Sequence, residues 1–331
     1  MFNRFRKVRR RSLVILAVVI GTFIAPQIGH AQGTWTTLSS VPAPTEGMTV
    51  GGVGQVIVGA YGFSSTAGAY TNQTRLYNIS RDSWSTGSPA PLPARAEAAY
   101  GDTTHGGFLY VIGGDNSAGL LSDLQRYDPV TDTWTTLTSM PTPRAGAAAA
   151  VIDDGIFVIG GRQSTGGPCS GGPYSGAVEK YDIDTDTWST VAPLPNPRSD
   201  LAAVAHGGKI YVFGGCTGTA SAPSVTNEVD MYDPQTNTWT TGLASMPTPR
   251  ASLVAGHSGD QVYAIGGTDG VSASNKNDVY DIPSNSWSTN TPMPTARQEA
   301  GVNSHGGRIY VVGGAQPAFG SSTAANEVFK P

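Results

Sequence analysis

Five arginines recur at one position of a repeating pattern: Arg95, Arg144, Arg198, Arg250 and Arg297, with Thr45 in the sixth copy. Two residues later an acid follows in alternate copies: Glu97, Asp200 and Glu299. Residues i and i+2 of a strand project to one side, so guanidinium and carboxylate groups would share a face. A guanidinium fork grips anions and hydroxyl-rich groups through paired hydrogen bonds. One reading makes these eight residues a ligand-binding set for an anionic or polyhydroxylated ligand. The other makes the arginines braces that bond backbone carbonyls of adjacent repeats, with the acids neutralising them.

The remaining chemistry-bearing residues point less clearly to a site. His105, His206 and His305 each sit eight residues before a Gly pair, and His257 nine before. That regularity indicates a turn role, whereas a metal site needs ligands converging within about 2 Å of one ion. Asp182, Asp184 and Asp186 alternate as in a calcium loop, but the corresponding turns elsewhere lack the triad. No Gly-x-Ser-x-Gly elbow and no lysine-bearing phosphate loop occurs. Neither a metal nor a cofactor is expected, and no catalytic residue is assigned.

The elements that must position these residues come from an internal repeat of about 50 residues. The stretch RYDPVTDTWTTLTSMPTPR, Arg126 to Arg144, returns from Leu76 to Arg95, Lys180 to Arg198, Met231 to Arg250 and Val279 to Arg297. Each copy carries a Tyr seven residues before a Trp: Tyr77/Trp84, Tyr127/Trp134, Tyr181/Trp188, Tyr232/Trp239 and Tyr280/Trp287. Four apolar segments of strand length make up a unit. In the third they are predicted at Gly146 to Ile152, Gly155 to Ile159, Ala177 to Tyr181 and Thr187 to Val191, an antiparallel meander. The second segment ends in a glycine pair (113–114, 160–161, 214–215, 266–267, 313–314), with Gly59-Ala60 taken as the equivalent in the first unit. Such glycines supply positive φ or a close backbone approach.

Gly-Gly, then Tyr-Asp, then Trp, then Pro-x-Pro-Arg resembles the kelch repeat over residues 34 to 331, in six copies. Tyr77-Asn78 and Ala296 are mild departures. The resemblance implies an all-β, six-bladed kelch β-propeller, one four-stranded blade per repeat about a central channel. Blades are expected at about 45–88, 95–138, 144–192, 198–243, 250–291 and 297–331. The last unit stops at Pro331 after Phe329, in the Tyr place, and lacks a fourth strand and a Trp. Thr34 to Leu38, with Trp35, is expected to supply that strand, so the last blade is completed by the N-terminal strand and two free edges vanish.

In a propeller, loops joining strands two and three share a face with the connections between blades. The five arginines would then ring the channel mouth on this long-loop face. Its loops vary in length and are rich in Gly, Ser, Thr and Asn with scattered aromatics (Tyr61, Phe63, Tyr70, Tyr174, Phe319), and such loops on a rigid repeat commonly carry binding. The only two cysteines, Cys169 and Cys216, fall at neighbouring positions on this rim, and a disulfide between them is expected.

Residues 1–31 read as a signal peptide: six cations and no acid, an apolar run from Leu13 to Ala25, Pro26, and small residues before a cut at Gln32. Removing it leaves 14 basic and 24 acidic residues, a net charge of −10. That balance argues against nucleic acid or anionic lipid as partner. The mature chain is expected to be secreted or periplasmic, without stable membrane insertion, and monomeric. Two functional classes stand. The first is an exported scaffold binding a protein or a glycan. The second is a sugar-active enzyme, since exported kelch propellers include chains that resemble sialic-acid mutarotases and copper galactose oxidases. A mutarotase-like site could use Glu97, Asp200 or Glu299 as acid and base. The copper reading is weaker, because those enzymes place Tyr and His ligands about the axis and the histidines here sit on the opposite face.

Overall fold

In a computed structural model of the chain, residues 32–169, 172–219, 221–316 and 321–331 are described. The predicted signal peptide and Phe319 lie outside them. Six four-stranded antiparallel sheets follow one another along the sequence. The third pairs Ala148–Ile152, Gly155–Ile159, Val178–Asp182 and Thr187–Thr190 in order from the axis outward. In the sixth, Gly301–His305, Arg308–Val312 and Asn326–Lys330 are joined by the N-terminal Thr34–Thr37, with Trp35 opposite Phe329. The ring therefore closes within a blade assembled from both chain ends.

The apolar core is divided into six clusters, one between each pair of neighbouring blades. A polar latch repeats beside them on the outer strands. Each Trp packs on its Tyr at about 5 Å between ring centres and donates its indole N–H to a carbonyl of the preceding blade, as Trp188 does to Thr138 O at 2.8 Å. The Tyr hydroxyl donates to an Asp or Asn five residues on, whose side chain also accepts a backbone N–H from the preceding blade. Asp186 thus takes both Tyr181 Oη and Thr138 N. Trp35 makes the indole half of this latch, packing on Phe329 at 5.0 Å and donating to Thr291 O at 2.9 Å, but Phe329 has no hydroxyl for the other half. Asp182 is used in its own turn, accepting from the Thr185 backbone and hydroxyl, so two carboxylates of the Asp182–Asp186 triad serve the hairpin.

The glycine pairs do the work expected of them, with one correction. The first glycine of a pair has positive φ and lies against the carbonyl that opens the next blade. A side chain on Gly160 would strike Arg198 O, and one on Gly214 would strike Arg250 O. In the first blade this place is held by Tyr61-Gly62 and not by Gly59-Ala60. Thr49 pairs with Ala60 as Ala148 pairs with Ile159, and Tyr61 (φ 61°) and Gly62 (φ 108°) carry the left-handed backbone. A tyrosine there is strained. Its ring offsets the strain by stacking under the Arg95 guanidinium at 4.7 Å, and its hydroxyl donates to Pro91 O.

Candidate functional site

The arginines do not ring the mouth. Arg95, Arg144, Arg198, Arg250 and Arg297 are at most 1% exposed. Each is turned into its own blade, where it meets an acid of the third strand or its approach: Asp123, Glu179, Asp230, Asp278 and Glu327 respectively. Second-strand carbonyls take further N–H groups from Arg144, Arg250 and Arg297, as Val158 O does from Arg144 at 3.0 Å. The carbonyls are the arginine's own blade's, not the neighbour's as the bracing reading supposed. The terminal N–H groups of each buried guanidinium are held in place by a carboxylate and carbonyls, while its Nε–H is buried without a partner among the described residues. These five residues thus have no surface to offer a ligand.

Two residues further on, the backbone does something the pairing argument did not anticipate. Gly47, Glu97, Gly146, Asp200, Ser252 and Glu299 all have φ between 49° and 61°. They are not strand residues, so the shared-side rule fails for them. Their amides and carbonyls form a closed ring about the axis. Glu97 N donates to Gly47 O, Gly146 N to Glu97 O, Asp200 N to Gly146 O, Ser252 N to Asp200 O, Glu299 N to Ser252 O and Gly47 N to Glu299 O, at 2.6 to 3.0 Å. Every second member carries a carboxylate, so Glu97, Asp200 and Glu299 converge at the axis, at most 6% exposed.

Their counter-ion comes from an unexpected residue. Arg162 follows the third glycine pair and is fully buried. It forms an ion pair with Glu97, a second with Asp115 (3.4 Å) and a third with Asp200 (3.3 Å), and donates to Gly166 O. Asp200 is further held by the Ser199 hydroxyl at 2.6 Å. Among the described residues, the Glu299 side chain receives only the Gln298 side-chain amide, at 3.3 Å. Burial, reinforced by Glu97, Glu46 and Asp200, keeps the Glu299 carboxyl protonated far above the usual range. Burial likewise pushes Glu97 up to about 8, with Arg162 pulling against it.

Tyr100 closes the channel beneath these acids. Blade 2 has 18 residues from Arg95 to its first paired glycine, where blades 3 to 6 have 16. The two extra residues leave the blade, and Tyr100 pairs in parallel with Ala148 of the next one, donating to Ala147 O and accepting from Ala149 N. An inner strand exposes one unpaired edge to the axis, and here that edge is capped. The Tyr100 hydroxyl is buried without a hydrogen-bond partner in the electrostatic reach of Glu97, Glu299 and Asp200. At this level the passage narrows to about 10 Å³, room for about one water.

Above the acids, on the long-loop face, a cleft of about 230 Å³ is bounded by Glu46, Glu97, Asp115, Glu299, Gln298 and the edge-to-face pair Phe63 and Tyr70. The loop from blade 3 overhangs it through Gly166 to Pro168 and is joined to blade 4 by the Cys169–Cys216 disulfide, Cα atoms 5.3 Å apart. Among the described residues, five acids (Glu46, Glu97, Asp115, Asp200, Glu299) cluster about one cation (Arg162), which three of them already hold. His105 and His206 lie on the opposite face, each bonded to an Asp of the next blade, Asp154 at 3.0 Å and Asp260 at 2.9 Å.

Arg162 and Tyr100 were not singled out by sequence reasoning, yet each left a signal. The residue after the glycine pair differs in every blade (Phe63, Asp115, Arg162, Cys216, Thr268, Ala315) against an otherwise regular background. The two-residue insertion marks Tyr100.

Two family models match the chain: the KLHDC2/KLHL20/DRC7 Kelch-repeats domain over residues 138–314 and the Attractin/LZTR1 beta-propeller over residues 30–206. Among curated relatives, Kelch-like protein terF of Aspergillus terreus is 30% identical over 69% of this chain and 50% of its own length. Kelch-like protein 25 of Xenopus tropicalis is 29% identical over 62% and 35%. Beta-scruin of Limulus polyphemus is 31% identical over 54% and 19%. The chain thus spans between about a fifth and a half of these relatives. The solved structure of YjhT superposes with a TM-score of 0.72 at 19% identity, over 87% of this chain and 95% of that one, a likeness of fold.

Proposed function

The chain belongs to the kelch-repeat β-propeller family, and on that premise we propose that it is an exported recognition module whose long-loop face binds a glycan. An uncharged sugar unit occupies the cleft above Glu97 and Glu299. Kelch propellers commonly serve as protein-interaction scaffolds, and the rim loops leave room for a peptide. The cleft favours a sugar because aromatic faces and convergent polar groups meet there at small-molecule scale. One observation carries the reading. Glu299 is buried without an arginine at the floor of a cleft flanked by Phe63 and Tyr70. Protonated, it both donates and accepts hydrogen bonds, as a sugar hydroxyl requires.

The same inventory speaks against an anionic sugar. Four acids line the cleft with Asp200 beneath them, and Arg162 is buried and already ion-paired to three of the five, so a sialic-acid carboxylate would meet repulsion and no exposed guanidinium. A glycan array tests the reading. Wild-type protein should retain neutral glycans, and Glu299→Gln or Tyr70→Ala should lose most of that signal. Unchanged profiles in both variants, or retention of anionic glycans alone, would refute it.

A second reading is supported by the two buried carboxyls of unlike environment at the cleft floor. Glu97, ion-paired, and Glu299, unpaired, form an acid–base pair of the kind that could open and close a sugar ring. Faster exchange between anomers of a neutral sugar, seen by NMR and abolished in Glu97→Gln, would favour this enzyme reading over simple binding.

A further inference from the structure

The channel has a second mouth, on the face away from the long loops. Below Tyr100 it widens into a cavity of about 370 Å³, within the range of small-molecule sites. The narrow passage at Tyr100 separates it from the acidic cleft, so it is a site in its own right. Its walls are the alanines and valines of the inner strands of blades 3 to 6. Polar groups enter from two sides: Asp102 from blade 2, and His257, Asn303 and Ser304 from blades 5 and 6.

Of these polar groups, Asp102 is the carboxylate acceptor open to the cavity. Asp102 arrives here through the same insertion that places Tyr100. Its Oδ1 accepts from the Thr104 backbone at 3.0 Å and hydroxyl at 2.5 Å, and its other oxygen has no hydrogen-bond partner among the described residues. Asn303 is 2% exposed and its Oδ1 is without a partner. It extends against Gly52, where any side chain would collide with it. His257 Nδ1 is buried without a partner, while Ser304 Oγ is occupied by His257 N at 3.1 Å. The other titratable groups at this mouth are His105, tied to Asp154, and Asp153 in the neighbouring turn. The free Asp102 oxygen is exposed at an apolar-walled space, a setting for a ligand that brings a charged donor and a short hydrocarbon body.

We infer that this second cavity binds a small primary amine, its ammonium on the free oxygen of Asp102 and its alkyl body on the alanine wall. An ammonium has three donors and a positive charge, the complement of the Asp102 carboxylate. An anion would face Asp102, and a neutral alcohol would forfeit the charge-assisted bond.

NMR titration of the full chain with n-butylamine and cyclohexylamine, against n-butanol and cyclohexanol, tests this. The amines should saturate, with amide shifts centred on residues 203–205 and 255–257. The alcohols should bind at least about tenfold more weakly, the loss of one charge-assisted hydrogen bond. Asp102→Asn should weaken amine binding by a similar factor, while Glu299→Gln, in the other cleft, leaves it within about twofold. Should Asp102→Asn fail to fold, the amine-to-alcohol ratio and the location of the shifts decide alone. No saturation with either amine, equal binding of the alcohols, or shifts confined to the long loops would overturn the inference.

Discussion

Replacing Trp35 by Ala should reveal what closes the ring. The indole stacks on Phe329 at 5.0 Å, donates to Thr291 O at 2.9 Å and packs on the apolar cluster between blades 5 and 6. Truncating a buried Trp typically costs about 3–5 kcal/mol. Trp35 is half-buried, so the low end applies, about 3 kcal/mol, of which about 1 belongs to the hydrogen bond and a similar amount to the ring pair. In a chain of this size about 2 °C is lost per kcal/mol, so the melting temperature should fall by roughly 5–10 °C. Trp134→Ala removes the matching latch of blade 2, where all four strands are continuous in the chain. The two variants should therefore differ in kind. Trp35→Ala should make residues 32–40 newly sensitive to protease, and deleting residues 32–40 should abolish the single cooperative transition, while Trp134→Ala retains it. Calorimetry with limited proteolysis reads all three. A fall below about 2 °C for Trp35→Ala, or an unchanged melting curve on deletion, would refute the closure argument.

Removing a buried arginine should cost stability, not binding. Arg144→Ala strands Glu179 in the core and should cost about 3–5 kcal/mol, whereas Arg144→Met with Glu179→Leu removes both charges and should cost much less; denaturant melts of the two compare them directly. Stability should also depend on the axial carboxyls. Their pKa values are raised on folding, so the folded state holds more protons than the unfolded chain above about pH 4.5. Their contribution is complete at lower pH and is lost as pH rises through the folded value, about 8 for Glu97. The melting temperature should decline between about pH 5 and 8, and Glu97→Gln with Glu299→Gln should flatten the decline; an equal slope in the double variant would contradict it.

The periodic Tyr and Trp residues and the unfinished last unit made the blades and their closure legible, because an indole latch used six times leaves six copies of itself. The fate of the arginines was also written in the chain, though less plainly. Two residues before Tyr181, Tyr232, Tyr280 and Phe329 stand Glu179, Asp230, Asp278 and Glu327, while in the first blade, where Thr45 replaces the arginine, that place holds Arg75. The exchange signals a pair within each blade. Assigning i and i+2 to one strand face hid it, since the left-handed backbone at Glu97 and its five equivalents is visible only in three dimensions. Tyr61 escaped for a similar reason: Gly59-Ala60 looks more like a glycine pair than Tyr-Gly does, and only the strand register separates them. The axial cluster depends on single departures from the repeat, Arg162 and the Tyr100 insertion, which periodicity by its nature averages away.

The central claim is that the long-loop cleft is floored by a protonated, arginine-free carboxyl. Carbon-detected NMR of the glutamate carboxyls across neutral pH tests it most directly. Once the Glu97 carboxyl has titrated, at about 8, one resonance should still remain in the protonated range, vanish in Glu299→Gln, and shift when a neutral sugar is added. If every glutamate carboxyl titrates in the ordinary range near 4.5, or the persistent signal survives Glu299→Gln, the account of the cleft is wrong.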